Sequence, residues 1–289
     1  MYYKMNQENI NIDELKTWIG NSEVVIDEVS QGLEKRFRAT LDIEPGEPIK
    51  GDRASSGIHW ALAPAIVKSS LLGKDSHPKK GGFLPPVPLP RRMWAGCQTE
   101  FLSPLYVGDI VTKKSTVFDI NLKKGQSGLL CFVKAKYEFF VNDQLMISEL
   151  HDIVYRDLVT KKNLQISKIE KPKLRCDYEE NIFTHPTMLF RYSAITFNGH
   201  RIHYDYPYSV NEEGYDDLVF HGPLQATLLL RAAEKFKKIR AKKFIHKGIA
   251  PVYANENLFI SIESKTNQNV NCFTSTSNAG LTMKAEAFF

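Results

Sequence analysis

Cysteine is scarce and scattered. The four thiols, at 97, 131, 176 and 272, form no CxxC and stand at no spacing from histidine that suits zinc. No metal is therefore expected, and a reduced, cytoplasmic setting is the simple reading. No apolar run approaches the roughly 20 residues that a membrane-spanning helix needs. The opening MYYKMNQENINIDELK is polar and acidic, unlike a signal or transit peptide. Charge of one sign is also in short supply, since 38 basic against 33 acidic residues leave a net +5. Without a dense basic face interleaved with aromatics, nucleic acid is not an expected partner, whereas an anionic small molecule is. The rest is ordinary for a globular chain: 289 residues, 43% hydrophobic and 25% charged, enough for one large domain or two of usual size.

Along the chain, residues 11–20 read as a short capped helix, and 22–28 and 36–43 as strand-like pieces. The apolar run WALAPAIVKSSLL (60–72) has the density of a buried helix whose regular part begins near Pro64. The Pro-, Gly- and base-rich segment 74–92 reads as an irregular loop, either a surface crossover or a ligand rim. Its end, Arg91-Arg92-Met93-Trp94, offers fork-shaped donors for carboxylate or phosphate beside aromatic surface. Residues 99–156 suggest three antiparallel strands, completing one α+β unit. Charged residues 157–190 read as a linker. A second half then follows: an irregular segment 191–221, an apolar helix from Pro223 to about 240, and strand-like pieces at 251–254, 257–263, 270–277 and 280–289. Helix then meander, twice over, is an internal structural duplication.

Groups able to move protons crowd one stretch. RYSAITFNGHRIHYD (191–205) followed by GYDDLVFHGPLQATLL (214–229) holds His200, His203 and His221, with Asn198, Asp205, Arg191 and Arg201. His203 is the candidate base, because an ordinary imidazole titrates near 6.5; the alternative is a histidine bonded into the loop. Asn198 holds water or the substrate through its amide, or is a turn residue bonded to its own backbone. Asp205 orients His203 or caps a turn. His200, beside a glycine, reads as exposed or structural. Gly222 precedes Pro223 at a helix start, where a free N–H suits a negative oxygen. His221 shapes that turn and packs against the ligand. The three tyrosines 192, 204 and 206 read as packing residues.

These two runs, with HPKKGGFLPPVPLPRRMWAG (77–96) and ELHDIVYR (149–156), resemble the MaoC-like hydratases and dehydratases. They are similar to the type-2 3-hydroxyacyl-thioester dehydratases and closer to the mesaconyl-C4-CoA and itaconyl-CoA hydratases. The resemblance implies an α+β double hotdog: two curved antiparallel sheets, each wrapped around a long central helix. It implies an N-terminal hotdog over 1–165, non-catalytic and enclosing the substrate, and a C-terminal hotdog over 166–289 with the catalytic loop. His203 falls on that family's catalytic histidine. Asn198 falls on its usual catalytic aspartate, and an amide cannot exchange a proton at neutral pH.

The implied activity is reversible hydration of a short branched dicarboxylic enoyl-CoA, such as mesaconyl-C4-CoA or itaconyl-CoA to citramalyl-CoA. Coenzyme A is then part of the substrate, and no cofactor is needed. Arg191, Arg201, Arg91 and Arg92, with His221 and Trp94, are the candidate substrate-binding residues, for CoA phosphates or a free carboxylate. Solvated or salt-bridged arginines are the default alternative. A dehydratase of longer 3-hydroxyacyl thioesters and a non-catalytic acyl-CoA-binding subunit are the competing functions. A homo-oligomer is left open.

Overall fold

In Gly128–Val141 every second residue from Cys131 to Ala135 is buried, the period expected of a strand covered on one face. The same logic builds most of the molecule. The computed structural model describes residues 10–125, 128–156 and 176–289. In order these form α1 (Ile12–Lys16), β1 (Ser22–Glu28), α2 (Gln31–Thr40), β2 (Arg91–Phe101), β3 (Ile110–Gly125), β4 (Gly128–Val141) and β5 (Gln144–Arg156). There follow β6 (Tyr178–Phe183), α3 (Pro186–Ile195), α4 (Gly222–Lys237), β7 (Lys243–Gly248), β8 (Asn257–Ser264), β9 (Asn269–Thr276) and β10 (Gly280–Phe288).

All ten strands belong to one antiparallel sheet in the order β1-β3-β4-β5-β2-β7-β10-β9-β8-β6. Counted from each edge inward, the first five and the last five strands follow the same order. The duplication expected from the sequence is thus present in the strand order. The two sheets expected are a single one, joined where Cys97 faces His246 across β2 and β7. The boundary at 165/166 lies outside the described residues.

Only α4 is longer than ten residues among the described helices, so the expectation of a long helix in each half is corrected. Pro223 starts α4 without sacrificing a hydrogen bond, and Lys238 in the left-handed region stops it. The helix is buried nearly all round, including Leu224, Leu228, Leu229 and Leu230, and packs on β7 to β10. Each of those leucines contributes about 1.5–3 kcal/mol of burial. Its polar residues are internally satisfied: Gln225 Nε2 donates to Thr274 and to Thr282 Oγ1, and Thr227 Oγ1 donates to Pro223 O.

The apolar run 60–72 forms no α-helix. Ala63 has φ +48, its N–H donates to Asp27 Oδ2 at 2.7 Å, and its carbonyl accepts from Lys113. Pro64 follows with no N–H to offer, and Ile66 and Leu71 end up exposed. Residues 36–40 are helical rather than strand-like and 41–43 lie past the helix end, because Ser30 caps the Leu33 N–H and Leu33 and Phe37 share a buried face. The meander begins earlier than expected and has four strands. Of the segment 157–190, residues 157–175 lie outside the described range, while 178–183 and 186–190 are in β6 and α3. At 251–254 there is a single bridge, Val219 to Tyr253, and the strand in that region is β7.

Candidate active site

The candidate catalytic loop is launched by an unusual helix end. At the close of α3 the Asn198 N–H reaches back to Ser193 O at 2.9 Å and the Phe197 N–H to Ala194 O, with Phe197 at φ +49. This left-handed closure usually falls to glycine, and a phenylalanine there costs on the order of 1 kcal/mol or more. It fixes where Asn198 emerges. Asn198 Oδ1 accepts the His200 N–H at 3.0 Å, so the turn reading of this residue holds for its oxygen. Its amide nitrogen has no partner in the described chain.

A 3-10 turn, Arg201–His203, then carries His203 inward to 7% exposure. Its Nδ1–H donates to Val219 O at 2.6 Å. A carbonyl only accepts, so the neutral ring keeps its lone pair on Nε2, which has no hydrogen-bond partner among the described residues. Burial first, then His221 and His200, hold the His203 pKa well below the usual value. The His203 and His221 rings stack with centroids 3.6 Å apart. His221 is buried, meets Ser193 Oγ through Nε2 at 2.9 Å, and has a pKa lowered by burial to about 3.

His221 is also the residue before α4, and its side chain makes no capping bond. The Gly222 N–H therefore stands free at the positive end of the helix. A Cβ at Gly222 would sit 3.1 Å from Trp94 Cε3, so glycine is needed there for close approach. The His203 ring thus stacks on the residue that immediately precedes Gly222.

The loop after Gly73 docks onto this turn from the first half of the chain. Arg201 N donates to Asp75 O at 3.1 Å and Arg201 Nη1 to Lys74 O at 3.2 Å. A Cβ on Gly199 would meet Ser76 O at 3.1 Å. This brings in His77, whose Nδ1 lies 2.8 Å from Asp75 Oδ2 and whose backbone N–H donates to Asp75 Oδ1 at 3.1 Å. The rings of His77 and His200 are 4.2 Å apart and those of His200 and His203 5.4 Å. Four imidazoles thus follow one another through this region, ending at His221.

Several expected roles change. Asp205 does not touch His203: its Oδ2 accepts from Arg201 Nε and Nη2 at 2.9 and 2.7 Å, and its Oδ1 caps the Tyr208 N–H. Arg201, so paired and lying over the Tyr208 ring at 4.1 Å, is a tie within the loop. Arg91 is buried, donates to Glu213 O and approaches Glu213 Oε2 at 3.4 Å, so it is structural as well. Arg191 is exposed on α3. His200, expected to be exposed or structural, is buried, with Glu213 Oε1 at 3.5 Å. Arg92 is half-buried and, among the described residues, bonded to no carboxylate, and its charge reaches His77.

Behind Trp94 lies a buried carboxylate that sequence reading missed. Glu149 Oε1 accepts from Trp60 Nε1 at 2.9 Å and Thr99 Oγ1 at 2.7 Å, with His59 Nε2 at 3.0 Å. Its Oε2 takes His151 Nε2 at 2.9 Å, and Trp94 Nε1 donates to His151 Nδ1 at 3.0 Å. Burial would raise the Glu149 pKa, but His59 and His151 hold it well below the carboxylate range. The signal was present, since Glu149 and His151 are two apart on a strand and share a face. His77 and Asp75 were hidden in a loop read for its arginines.

Cavity size does not locate this chemistry. Cavities of about 290 Å³ and 660 Å³ lie around Ser55, Ser56, Glu234 and Arg240, toward the far end of α4, and neither is lined by His203 or Gly222. The imidazoles and the free helix end define the site instead. Asp75, His77 and His200 offer ligand atoms within 4.8 Å of one another, as do Cys97, Glu149 and His151. In both groups the carboxylate is engaged with an imidazole.

The chain is 37% identical over 236 residues to the mesaconyl-C(4)-CoA hydratase of Chloroflexus aurantiacus, covering 82% of this chain and 84% of that one. Among solved structures it superposes on a MaoC-like dehydratase from Phytophthora capsici with a TM-score of 0.69 at 16% identity, covering 97% and 99% of the two chains. It also superposes on a Mycobacterium tuberculosis protein described as a double hotdog, at TM-score 0.57 and 11% identity, covering 93% and 96%. The family model for hydroxyacyl-thioester dehydratase type 2 matches residues 57–254, and the chain belongs to that family.

Proposed function

We propose that the protein is a reversible acyl-CoA hydratase, a hydro-lyase acting on a short branched dicarboxylic enoyl-CoA such as mesaconyl-C4-CoA or itaconyl-CoA. The observation that carries this reading is His203 Nε2, left free by the Nδ1 bond to Val219 O, in a ring stacked on His221, the residue before the free N–H of Gly222. In that reading water loses a proton to His203 as its oxygen bonds to the β-carbon. The electron pair of the double bond moves toward the thioester oxygen, which the Gly222 N–H stabilises as an enolate. The pair returns to form the α-carbon–hydrogen bond. Asn198, through its free amide nitrogen, orients the water or the thioester.

The acyl group follows from the similarity to the Chloroflexus hydratase and from the arginines. With Arg91 held by Glu213 and Arg201 by Asp205, Arg92 is left to meet a distal carboxylate. We read each five-stranded half as one hotdog unit, divided near 165/166, with the second carrying the catalytic loop. Four free cysteines agree with a cytoplasmic setting. The test is a panel of enoyl-CoAs followed by loss of the conjugated thioester absorbance. Turnover is expected with the branched dicarboxylic thioesters. Preference for long 3-hydroxyacyl thioesters would favour the other activity of the family, and silence with every thioester would leave a binding protein.

A further inference from the structure

Hydration needs two proton events, one at water and one at the α-carbon. Asn198 has no titratable group, and among the described residues no carboxylate touches His203, since Asp205 is turned to Arg201. An imidazolium on His203 would lie against the His221 ring with only the Val219 carbonyl to stabilise it. It is a poor place for a proton to stay. Among the imidazoles of this cleft, His77 has a carboxylate at full hydrogen-bond distance, Asp75 at 2.8 Å. His200 has only Glu213 at 3.5 Å, and that carboxylate also serves Arg91 and Tyr208.

We infer that His77, oriented by Asp75 and delivered from the first half of the chain, is the second proton-transfer group of the reaction. This rests on the hydratase reading above. Asp75 accepts the Nδ1–H, which leaves the His77 lone pair on Nε2, a nitrogen with no protein partner and a side chain 21% exposed. The proton lifted from water onto His203 passes across His200 to His77, where the Asp75 carboxylate balances the imidazolium. From Nε2 it goes to the α-carbon as the enolate pair forms the new C–H bond and the thioester carbonyl is restored. All three imidazoles finish neutral, and no proton is gained or lost. Run backwards, neutral His77 removes the α-proton.

Asp75 fits this role electrostatically. Burial would raise its pKa, yet the hydrogen bonds and charge of His77 hold it below the usual carboxylate range. His77 in turn is lowered by burial to about 3, with Arg92 and His200 adding to the effect and Asp75 opposing it. A resting neutral imidazole beside an ionised carboxylate results. The docking of Lys74, Asp75 and Ser76 onto Gly199 and Arg201 keeps the pair in register with the catalytic turn.

The test compares wild type with His77→Ala, His77→Gln and Asp75→Asn on the thioester that wild type turns over best. His77→Ala and His77→Gln should each lose about a hundredfold or more in kcat with KM nearly unchanged, the range of general acid–base effects. Added imidazole should restore turnover to His77→Ala but not to Asp75→Asn, which should lose tenfold or more. Either His77 variant within threefold of wild type overturns the inference while leaving the hydratase reading intact. So does a folded His77→Ala that is slow and unmoved by imidazole, because the residue would then only hold the loop. A wild type silent on every enoyl-CoA overturns both.

Discussion

The imidazoles of His203 and His221 lie stacked, 3.6 Å between centroids and 19° between planes. One ring belongs to the proposed base, the other to the residue just before α4. If His203 is the base and the Gly222 N–H the oxyanion donor, this stack is the contact that ties the one to the chain segment of the other.

If His203 is the water-activating base, His203→Ala should lower kcat by about a hundredfold or more. Circular dichroism and the thermal midpoint should stay near wild type, because the turn is also held by Val219 N donating to Ile202 O. Steady-state rates within a few-fold of wild type would remove His203 from the mechanism.

Gly222→Ala keeps the backbone N–H but places a methyl 3.1 Å from Trp94 Cε3. Trp94 cannot yield freely, since its Nε1–H is donated to His151. A displacement of the helix start should cost up to about a hundredfold in kcat. Single-turnover measurements should assign the loss to the chemical step and not to product release.

Glu149→Gln tests the buried carboxylate. The amide presents N–H groups where His151, Thr99, His59 or Trp60 already donate, so a donor meets a donor. Breaking such a network costs about 3–5 kcal/mol, or on the order of 10 °C in Tm for a chain of this size. Differential scanning calorimetry reads the shift. A midpoint unchanged from wild type would mean that the cluster adds nothing to stability.

The fold should weaken in mild acid. His221 and His246 have pKa values lowered by burial to about 3, and His203 is lowered as well. The unfolded chain, with imidazoles near 6.5, binds more protons than the folded one between those limits. Stability is thus full above about pH 6.5 and is lost as pH falls toward 3, by about 1.4 kcal/mol per pH unit for each such histidine. The urea midpoint should drop from pH 7 to pH 5. A midpoint that holds or rises would show these rings to be charged in the folded protein.

The sequence made the second half legible because its signals are local. Pro223 after Gly222, followed by apolar residues at helical spacing, locates α4 closely, and the alternation after Asn257 locates β8 to β10. Asn198, His203 and Gly222 were close enough in sequence to be grouped by eye. The first half was harder. Apolar density alone could not reveal that Ala63 would turn to positive φ and release residues 64–72 from a helix. Nor could a linear reading pair Asp75 with a loop more than a hundred residues away, or aim Asp205 at Arg201 rather than His203. Partner choice among charges is settled by tertiary distance, and Glu149 with its donors from three separate segments is the same lesson in the interior.

The seam between β2 and β7, where Gly96 through Glu100 run in register with Lys247 through Lys243, has a further consequence. Backbone bonds across it fasten the two halves edge to edge, so a variant that displaces β2 is felt in β7 and, through it, in the strands that pack on α4.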